Sequence, residues 1–391
     1  MLLLRNPSIR LLFAGQALYW SCSMIGITLT ALVGLQLAPL NILATLPLCL
    51  WMLGNLFSVQ PLSRFMQRHG RRPGLMLGAG AGVVGGLLSA LGVWLGDFVV
   101  FCLGALPIGA YQASAMYYRF AALEAVTATE KGRASGYVIG GGVLAALLVP
   151  SALQWTGNLL STPFVSAYLL IATFALLALL LMSRLREGAA PPKAKAGFKE
   201  LRQLLGNPII RAAIATTAIG NGLMVLVMNA TPLAMSFCGF ALDSSAEVIQ
   251  WHMLGMFLPA FLAGPLVDRL GSRRVALLGG LILLGSASIA LSGVLLLNFL
   301  FSSLLLGLGW NLMLVAGTTL LAEGHDESQR GQAQGLMELL NGILAAGAAF
   351  SAGVLISGLG WSALNLVVLP LVGLALLMLL PARRSLQPSA S

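Results

Sequence analysis

Gly264-Pro265-Leu266-Val267-Asp268-Arg269-Leu270-Gly271-Ser272-Arg273-Arg274 stands between two long apolar runs. Earlier in the chain, Ser63-Arg64-Phe65-Met66-Gln67-Arg68-His69-Gly70-Arg71-Arg72 stands between two others. Asp268, Arg269 and Gly271 each fall 201 positions after Gln67, Arg68 and Gly70. Asn6-Pro7-Ser8-Ile9-Arg10 returns as Asn207-Pro208-Ile209-Ile210-Arg211, again 201 positions on. Glu124 and Lys131-Gly132-Arg133-Ala134-Ser135-Gly136 return as Glu323 and Arg330-Gly331-Gln332-Ala333-Gln334-Gly335, both 199 positions on. A spacing kept at four places along 391 residues marks a duplicated chain.

What is duplicated follows from the intervals. Apolar residues make up 58% of the chain and charged residues 9%, far below the quarter usual in soluble domains, with a mean hydropathy of +0.92. These values exclude an ordinary soluble enzyme and a disordered chain alike. Apolar stretches of spanning length fall at about 9–34, 41–66, 74–95, 98–122, 133–155, 163–184, 208–237, 244–267, 274–296, 299–322, 329–353 and 359–381. Their length predicts helices, because a membrane strand needs only about 10 residues and alternates. The expected fold is an all-α membrane protein of twelve transmembrane helices. Two six-helix bundles, 1–184 and 208–391, are joined by a polar linker at 185–207 containing Ala189-Ala190-Pro191-Pro192-Lys193. At the end of that linker, Phe198, Leu201 and Leu205 share one face of a short helix, which either lies on the membrane surface or is simply solvated.

Charge placement orients the spans. The net charge of +10 comes from 22 Lys and Arg, of which 21 fall in or beside the two termini and the connections after spans 2, 4, 6, 8 and 10. The exception is Arg119, near the inner end of span 4. The remaining connections carry only Asp97, Asp243 and Glu247. By the positive-inside rule both termini are expected in the cytoplasm. The same scatter argues against a nucleic-acid partner, since no basic patch with interleaved aromatics appears. Cys22, Cys49, Cys102 and Cys238 lie in apolar runs without C-x-x-C spacing, so neither disulfides nor a metal site is expected. There is no phosphate-binding Gly-Lys-Ser/Thr loop and no Gly-x-Ser-x-Gly elbow, so no enzymatic role, no direct use of ATP and no cofactor is expected. Eighteen Arg against four Lys suit a GC-rich bacterial source, and hence a multi-pass protein of the inner membrane.

The duplicated connection resembles the signature of the major facilitator superfamily, Gly-x-x-x-Asp-Arg-x-Gly-Arg-Arg. Gly264, Asp268, Arg269, Gly271, Arg273 and Arg274 match it with Ser272 as one extra residue, whereas the first copy has Ser63 for Gly and Gln67 for Asp. Tyr117-Tyr118-Arg119-Phe120-Ala121-Ala122 and His252-Met253-Leu254-Gly255-Met256-Phe257 further resemble a bacterial branch whose members are largely without assigned substrates. The resemblance implies parallel repeats around a central cavity, secondary transport by alternating access, and gating by the loops that carry Gln67, Arg68, Gly70, Arg71, Asp268, Arg269 and Gly271, with Glu124 and Glu323 beside them. Because Gln67 cannot form an ion pair, the first latch is expected to be weaker than the one on Asp268. Span 5 has Gly136, Gly140, Gly141 and Gly142 but Gly rather than Pro at 141, which departs from the antiporter pattern of that family.

Polar groups at bilayer depth are costly, so each needs a reason. Glu338 lies three residues from the centre of span 11 and shares a face with Gln334 and Asn341. Desolvation favours the neutral form of a carboxyl, which suits a proton carrier, although a packing or substrate contact would also explain it. His252, in span 8, is the second candidate for proton coupling, alone or paired with Glu338. Candidate substrate contacts are Gln16 and Trp20 in span 1, Tyr111, Gln112 and Arg119 in span 4, Asn221 in span 7, Trp310 and Asn311 in span 10, and Asn341. Arg119 has three readings: an anion contact, an ion pair with Glu124 or Glu338, or a chain that snorkels to the interface. Aromatic rings mixed with amides suit a small amphipathic organic solute. The sequence therefore predicts a monomeric, proton-coupled transporter. A drug–proton antiporter, an uncoupled facilitator and a non-transporting sensor on the same fold stay open, as does the direction of transport.

Overall fold

The computed structural model describes residues 6–40, 43, 46–156, 160–186 and 198–380. Among them are fifteen α-helices and no strand. In the N-terminal half these are α1 (Pro7–Leu37), α2 (Leu46–His69), α3 (Arg71–Leu95), α4 (Phe98–Ala115), α5 (Tyr118–Glu124), α6 (Lys131–Gly140), α7 (Gly142–Thr156) and α8 (Val165–Met182). The short α9 (Phe198–Gly206) precedes α10 (Pro208–Phe237), α11 (Leu242–Phe257), α12 (Ala260–Leu270), α13 (Ser272–Ser292), α14 (Leu296–Glu323) and α15 (Arg330–Leu379). Eleven segments in the described residues are long and apolar enough to cross a membrane. Three of these are broken helices: α4 with α5, α6 with α7, and α11 with α12. The 24-residue α2 stays helical throughout, but its apolar run is punctuated by Asn55, Gln60 and Pro61.

The duplicated sequence fragments build duplicated joints. Asn6 caps α1: its Oδ1 accepts the Ser8 N–H at 3.0 Å, and its Nδ2 donates to the Ala125 carbonyl at 2.9 Å. Asn207 does the same for α10, accepting from Ile209 N–H at 2.9 Å and donating to the Gly324 carbonyl at 2.7 Å. In both, Pro occupies the first helical turn, where its missing N–H costs nothing. One amide side chain thus starts a helix and ties it to the chain end that follows Glu124 or Glu323. The signature glycines form a second pair. Gly70 (φ 93°, ψ 168°) opens α3 and Gly271 (φ 85°, ψ 149°) opens α13, both in a region that only glycine occupies cheaply.

In the N-terminal half α3 packs on α4 and α8, α2 on α4, and α1 on α7 and α8. In the C-terminal half α10 packs on α14 and α15, and α13 on the same two helices. The halves meet where α2 crosses α15, α6 crosses α12 and α7 crosses α11. Close crossing needs small residues. Gly264 backs directly onto the Gly132 and Arg133 backbone, and Gly136 onto the backbone of Ala260 and Gly264. The outer surface carries large exposed apolar side chains such as Phe57, Trp94 and Leu262, which suits contact with lipid.

The structure adds detail at two places. Spans 11 and 12 fall at Arg330–Ala352 and Gly358–Leu379, close to the expected bounds, and α15 runs through both with a kink at Gly360 (φ 80°, ψ 177°). The linker helix α9 forms, but it turns Leu204 inward (2% exposed) and leaves Leu205 exposed. The side chains of Phe198 and Leu201, and the Pro-bearing stretch 187–197, lie outside the described residues, as do both termini.

Candidate substrate site and inter-half seam

Where α5 faces α15, Arg119 and Glu338 form an ion pair through Arg119 Nη2 and Glu338 Oε1. Arg119 is 5% and Glu338 4% exposed, and they sit in opposite halves. The snorkelling reading of Arg119 is therefore incorrect, and its partner is Glu338 rather than Glu124. In a buried pair of this kind the mutual attraction and added hydrogen bonds offset the cost of desolvating both charges, and losing either partner leaves the other uncompensated. Asn341 Nδ2 donates to the same Glu338 oxygen at 3.4 Å, and Asn221 Nδ2 donates to the Asn341 carbonyl at 3.5 Å. Asn221 Oδ1 in turn accepts from Trp310 Nε1 at 3.2 Å. Four helices, α5, α15, α10 and α14, are linked by this run of polar contacts.

An aromatic run borders it. Trp20 on α1 meets Phe257 at the end of α11, with ring centroids 4.8 Å apart at 64°. Phe257 meets Trp310 edge-on at 6.4 Å and 90°. Phe257 reaches this position because Gly142, opposite it on α7, has no side chain to block the ring. Gln16 is buried one turn before Trp20 on the same face of α1. Gln112 accepts from Trp51 Nε1 at 2.7 Å, which fixes its amide against α2. Phe257 and Trp51 were not singled out in the sequence, where each is one apolar residue in an apolar run.

Three expected residues stand elsewhere. Tyr111 is fully buried inside the N-terminal half, against Gly82 and Ala175, and edge-on to Tyr19 at 5.7 Å. One position along a helix turns the side chain by about 100°, so Gln112 faces α2 while Tyr111 faces the interior of its half, and Arg119 on α5 reaches the other half. Asn311 is fully buried and donates to the Met256 carbonyl at 2.7 Å, which ties α14 to α11. His252 shares no hydrogen bond with Glu338. Its Nδ1 meets the Ser303 carbonyl at 2.9 Å within the C-terminal half.

The arginine-rich end is closed. Asp268, at the end of α12, accepts from the backbone N–H groups of Gly132 (2.8 Å) and Arg133 (3.1 Å) and from Arg133 Nε (2.8 Å). It caps the first turn of α6 across the boundary between the halves, where a carboxylate also suits the positive end of the helix dipole. At the matching place Gln67 packs on Gly331, and the hydrogen bond comes from Ser63 Oγ to the Gly331 carbonyl at 2.7 Å. Ser63 stands where the signature has Gly, and its hydroxyl uses the room. Beside it Arg71 grips Glu124 at 2.6 Å and also bonds Gln334, while Arg330 reaches Glu124 at 3.5 Å. Glu323 in the second copy accepts from Ser272 Oγ at 2.8 Å. Arg68 and Arg269 are exposed and stand off the seam. From Phe257 and Gly342 to this end the halves are in contact.

The profile of the Major Facilitator Superfamily matches residues 11–246 and 217–391. The riboflavin transporter RfnT of Brucella anthropi is 36% identical over 377 residues, which is 95% of each chain. Among solved structures, FucP in its outward conformation matches with a TM-score of 0.78 at 15% identity over 95% of this chain and 97% of that one. The proton:xylose symporter XylE matches with a TM-score of 0.78 at 17% identity over 95% and 94%. The chain belongs to the Major Facilitator Superfamily and is a multi-pass membrane transporter, not an enzyme.

Proposed function

We propose that this protein carries riboflavin, or a closely related flat heteroaromatic solute with a polar tail, across a bacterial inner membrane. The observation that supports this most is the Trp20–Phe257–Trp310 run, contributed by both halves and edged by Asn221 and, through it, Asn341. Rings bind a flat aromatic solute by stacking, and amides satisfy its ring heteroatoms. The 36% identity with a protein named as a riboflavin transporter supports the same reading.

Transport proceeds by alternating access. Twelve spans, with both termini on the arginine-rich cytoplasmic side, form two bundles, 1–184 and 208–391, that rock about the site as a monomer. The Asp268–Gly132 and Glu124–Arg330 contacts close the cytoplasmic end, so the arrangement described opens to the opposite side. Glu338 carries the proton. Protonation removes its charge, releases Arg119 and loosens the tie between α5 and α15, so proton occupancy and the inter-half contact are coupled.

Purified protein in liposomes tests the transport. Labelled riboflavin is expected to accumulate faster than in protein-free vesicles, with unlabelled riboflavin competing. Uptake equal to that of empty vesicles overturns the reading.

A further inference from the structure

Three buried polar atoms around the site have no hydrogen-bond partner among the described residues: Trp20 Nε1, Asn341 Oδ1 and Arg119 Nε. Such atoms are rare, because leaving one unpaired costs about 1–3 kcal/mol. Of the eleven such atoms among the described residues, these three are the ones whose side chains are tied to one another through the contacts of the site. Arg119 and Asn341 converge on the same Glu338 oxygen. Asn341 is linked through Asn221 to Trp310, and Trp310 through Phe257 to Trp20. Their side chains are already held at the other end, Arg119 by Glu338, Asn341 by its own Nδ2 bond, Trp20 by the Phe257 ring. Other unpaired atoms nearby differ in kind. His252 Nε2 and Asn311 Oδ1 belong to side chains anchored on backbone carbonyls inside the C-terminal half.

The set contains two donors and one acceptor. The group that satisfies all three at once is a cyclic imide, whose edge presents C=O, N–H and C=O. We propose that Trp20 Nε1, Arg119 Nε and Asn341 Oδ1 read such an imide edge, and that the transporter selects flat heterocycles carrying it. Asn341 accepts the imide N–H, and the Trp20 and Arg119 N–H groups donate to the flanking carbonyls. The pyrimidinedione end of a flavin has this edge. Glu338 stays outside the set as the group that holds Arg119 and Asn341 in place. A site built to hydrogen-bond an N–H discriminates strongly against an analogue without it, because its acceptor is then left buried and unpaired.

The inference rests on the flavin reading above, and one pair of ligands separates the two. Binding of riboflavin and of 3-methylriboflavin, whose imide N–H is replaced by N–CH3, is measured on purified protein by quenching of flavin fluorescence. Riboflavin is expected to bind at least about tenfold more tightly. Equal binding of both overturns the imide assignment and leaves the flavin reading standing. Binding of neither overturns the flavin reading itself. The variant Asn341→Leu separates hydrogen bonding from bulk, because Leu is as large as Asn but accepts nothing. In that variant the preference is expected to vanish, with the methylated flavin binding at least as well. A preference kept at tenfold shows that steric exclusion, and not Asn341, sets the selectivity, and overturns the assignment. Should that variant fail to fold, Trp20→Phe keeps the ring and removes one donor. It is expected to weaken both flavins by the same several-fold factor, and unchanged affinity overturns the role of Trp20.

Discussion

Glu338 Oε1 is the one atom that both Arg119, from the opposite half, and Asn341, one turn further along its own helix, contact. A carboxylate with 4% exposure thus ties α15 of one half to α5 of the other. The charge of this one side chain therefore bears on both an inter-half contact and the position of Asn341 in the site.

Removing one partner of this pair leaves a buried charge, and such changes cost about 3–5 kcal/mol, against 0.5–1.5 for an ordinary hydrogen bond. Arg119→Leu is expected to lower thermal stability strongly, and Arg119→Leu with Glu338→Leu to recover most of the loss. Unfolding followed by intrinsic fluorescence in detergent checks both. A double variant as unstable as the sum of the single ones contradicts the pairing.

Asp268→Ala deletes the acceptor for two backbone N–H groups and Arg133 Nε at the α6 terminus. Hydrogen bonds to a charged group contribute about 1.5–3 kcal/mol each way of counting, enough to shift the balance toward forms open at the arginine-rich end. Ser135, fully buried on α6, reports this when replaced by Cys in a background lacking the native cysteines. Maleimide labelling of Ser135→Cys is expected to speed up several-fold when Asp268→Ala is added. An unchanged rate contradicts the latch.

Gly271→Ala isolates a backbone effect. No neighbouring atom lies within 4 Å of where the new methyl would sit, so crowding plays no part. The φ of 85° alone is expected to cost about 1–3 kcal/mol. Gly206→Ala, at a position equally open but without positive φ, is the control and is expected to be nearly neutral. Equal melting temperatures for both variants contradict the account of the signature turn.

Phe257→Leu keeps most of the volume at the centre of the aromatic run and removes the ring. Stacking of a flat base on an aromatic side chain is worth about 1–3 kcal/mol, so riboflavin binding is expected to weaken by roughly ten- to a hundredfold. Tyr111→Phe removes a hydroxyl that faces the interior of one half, and is expected to leave binding unchanged. Flavin fluorescence titration distinguishes them. A loss at Tyr111 comparable with that at Phe257 would move the site.

Much of the architecture was legible because membrane burial writes directly into composition. Twelve apolar stretches, cations confined to alternate connections and fragments repeated about 200 positions apart need no side-chain geometry. The repeats even identified their joints, since Asn6 and Asn207 make the same two hydrogen bonds. Pairing across the halves was not legible in the same way. Arg119 and Glu338 are 219 residues apart, and the sequence left Arg119 with three readings that only its burial separates. Tyr111 and Gln112 are adjacent, and helical twist sends them to different neighbours, Tyr19 and Trp51. Phe257 and Trp51 gave no signal, because an aromatic residue in an apolar helix reads as packing until its neighbours in space are known. His252 drew a functional reading as a polar residue in a span, and its place beside the Ser303 carbonyl, apart from Glu338, was not legible because that contact lies 51 residues along the chain.

The most direct measurement is riboflavin flux into proteoliposomes under an imposed pH gradient, with the wild-type protein beside Glu338→Gln. The account predicts flux that rises with the gradient in the wild type and flux indifferent to the gradient in Glu338→Gln, whose neutral amide neither takes up nor releases a proton. A Glu338→Gln protein whose riboflavin flux still follows the pH gradient would contradict it.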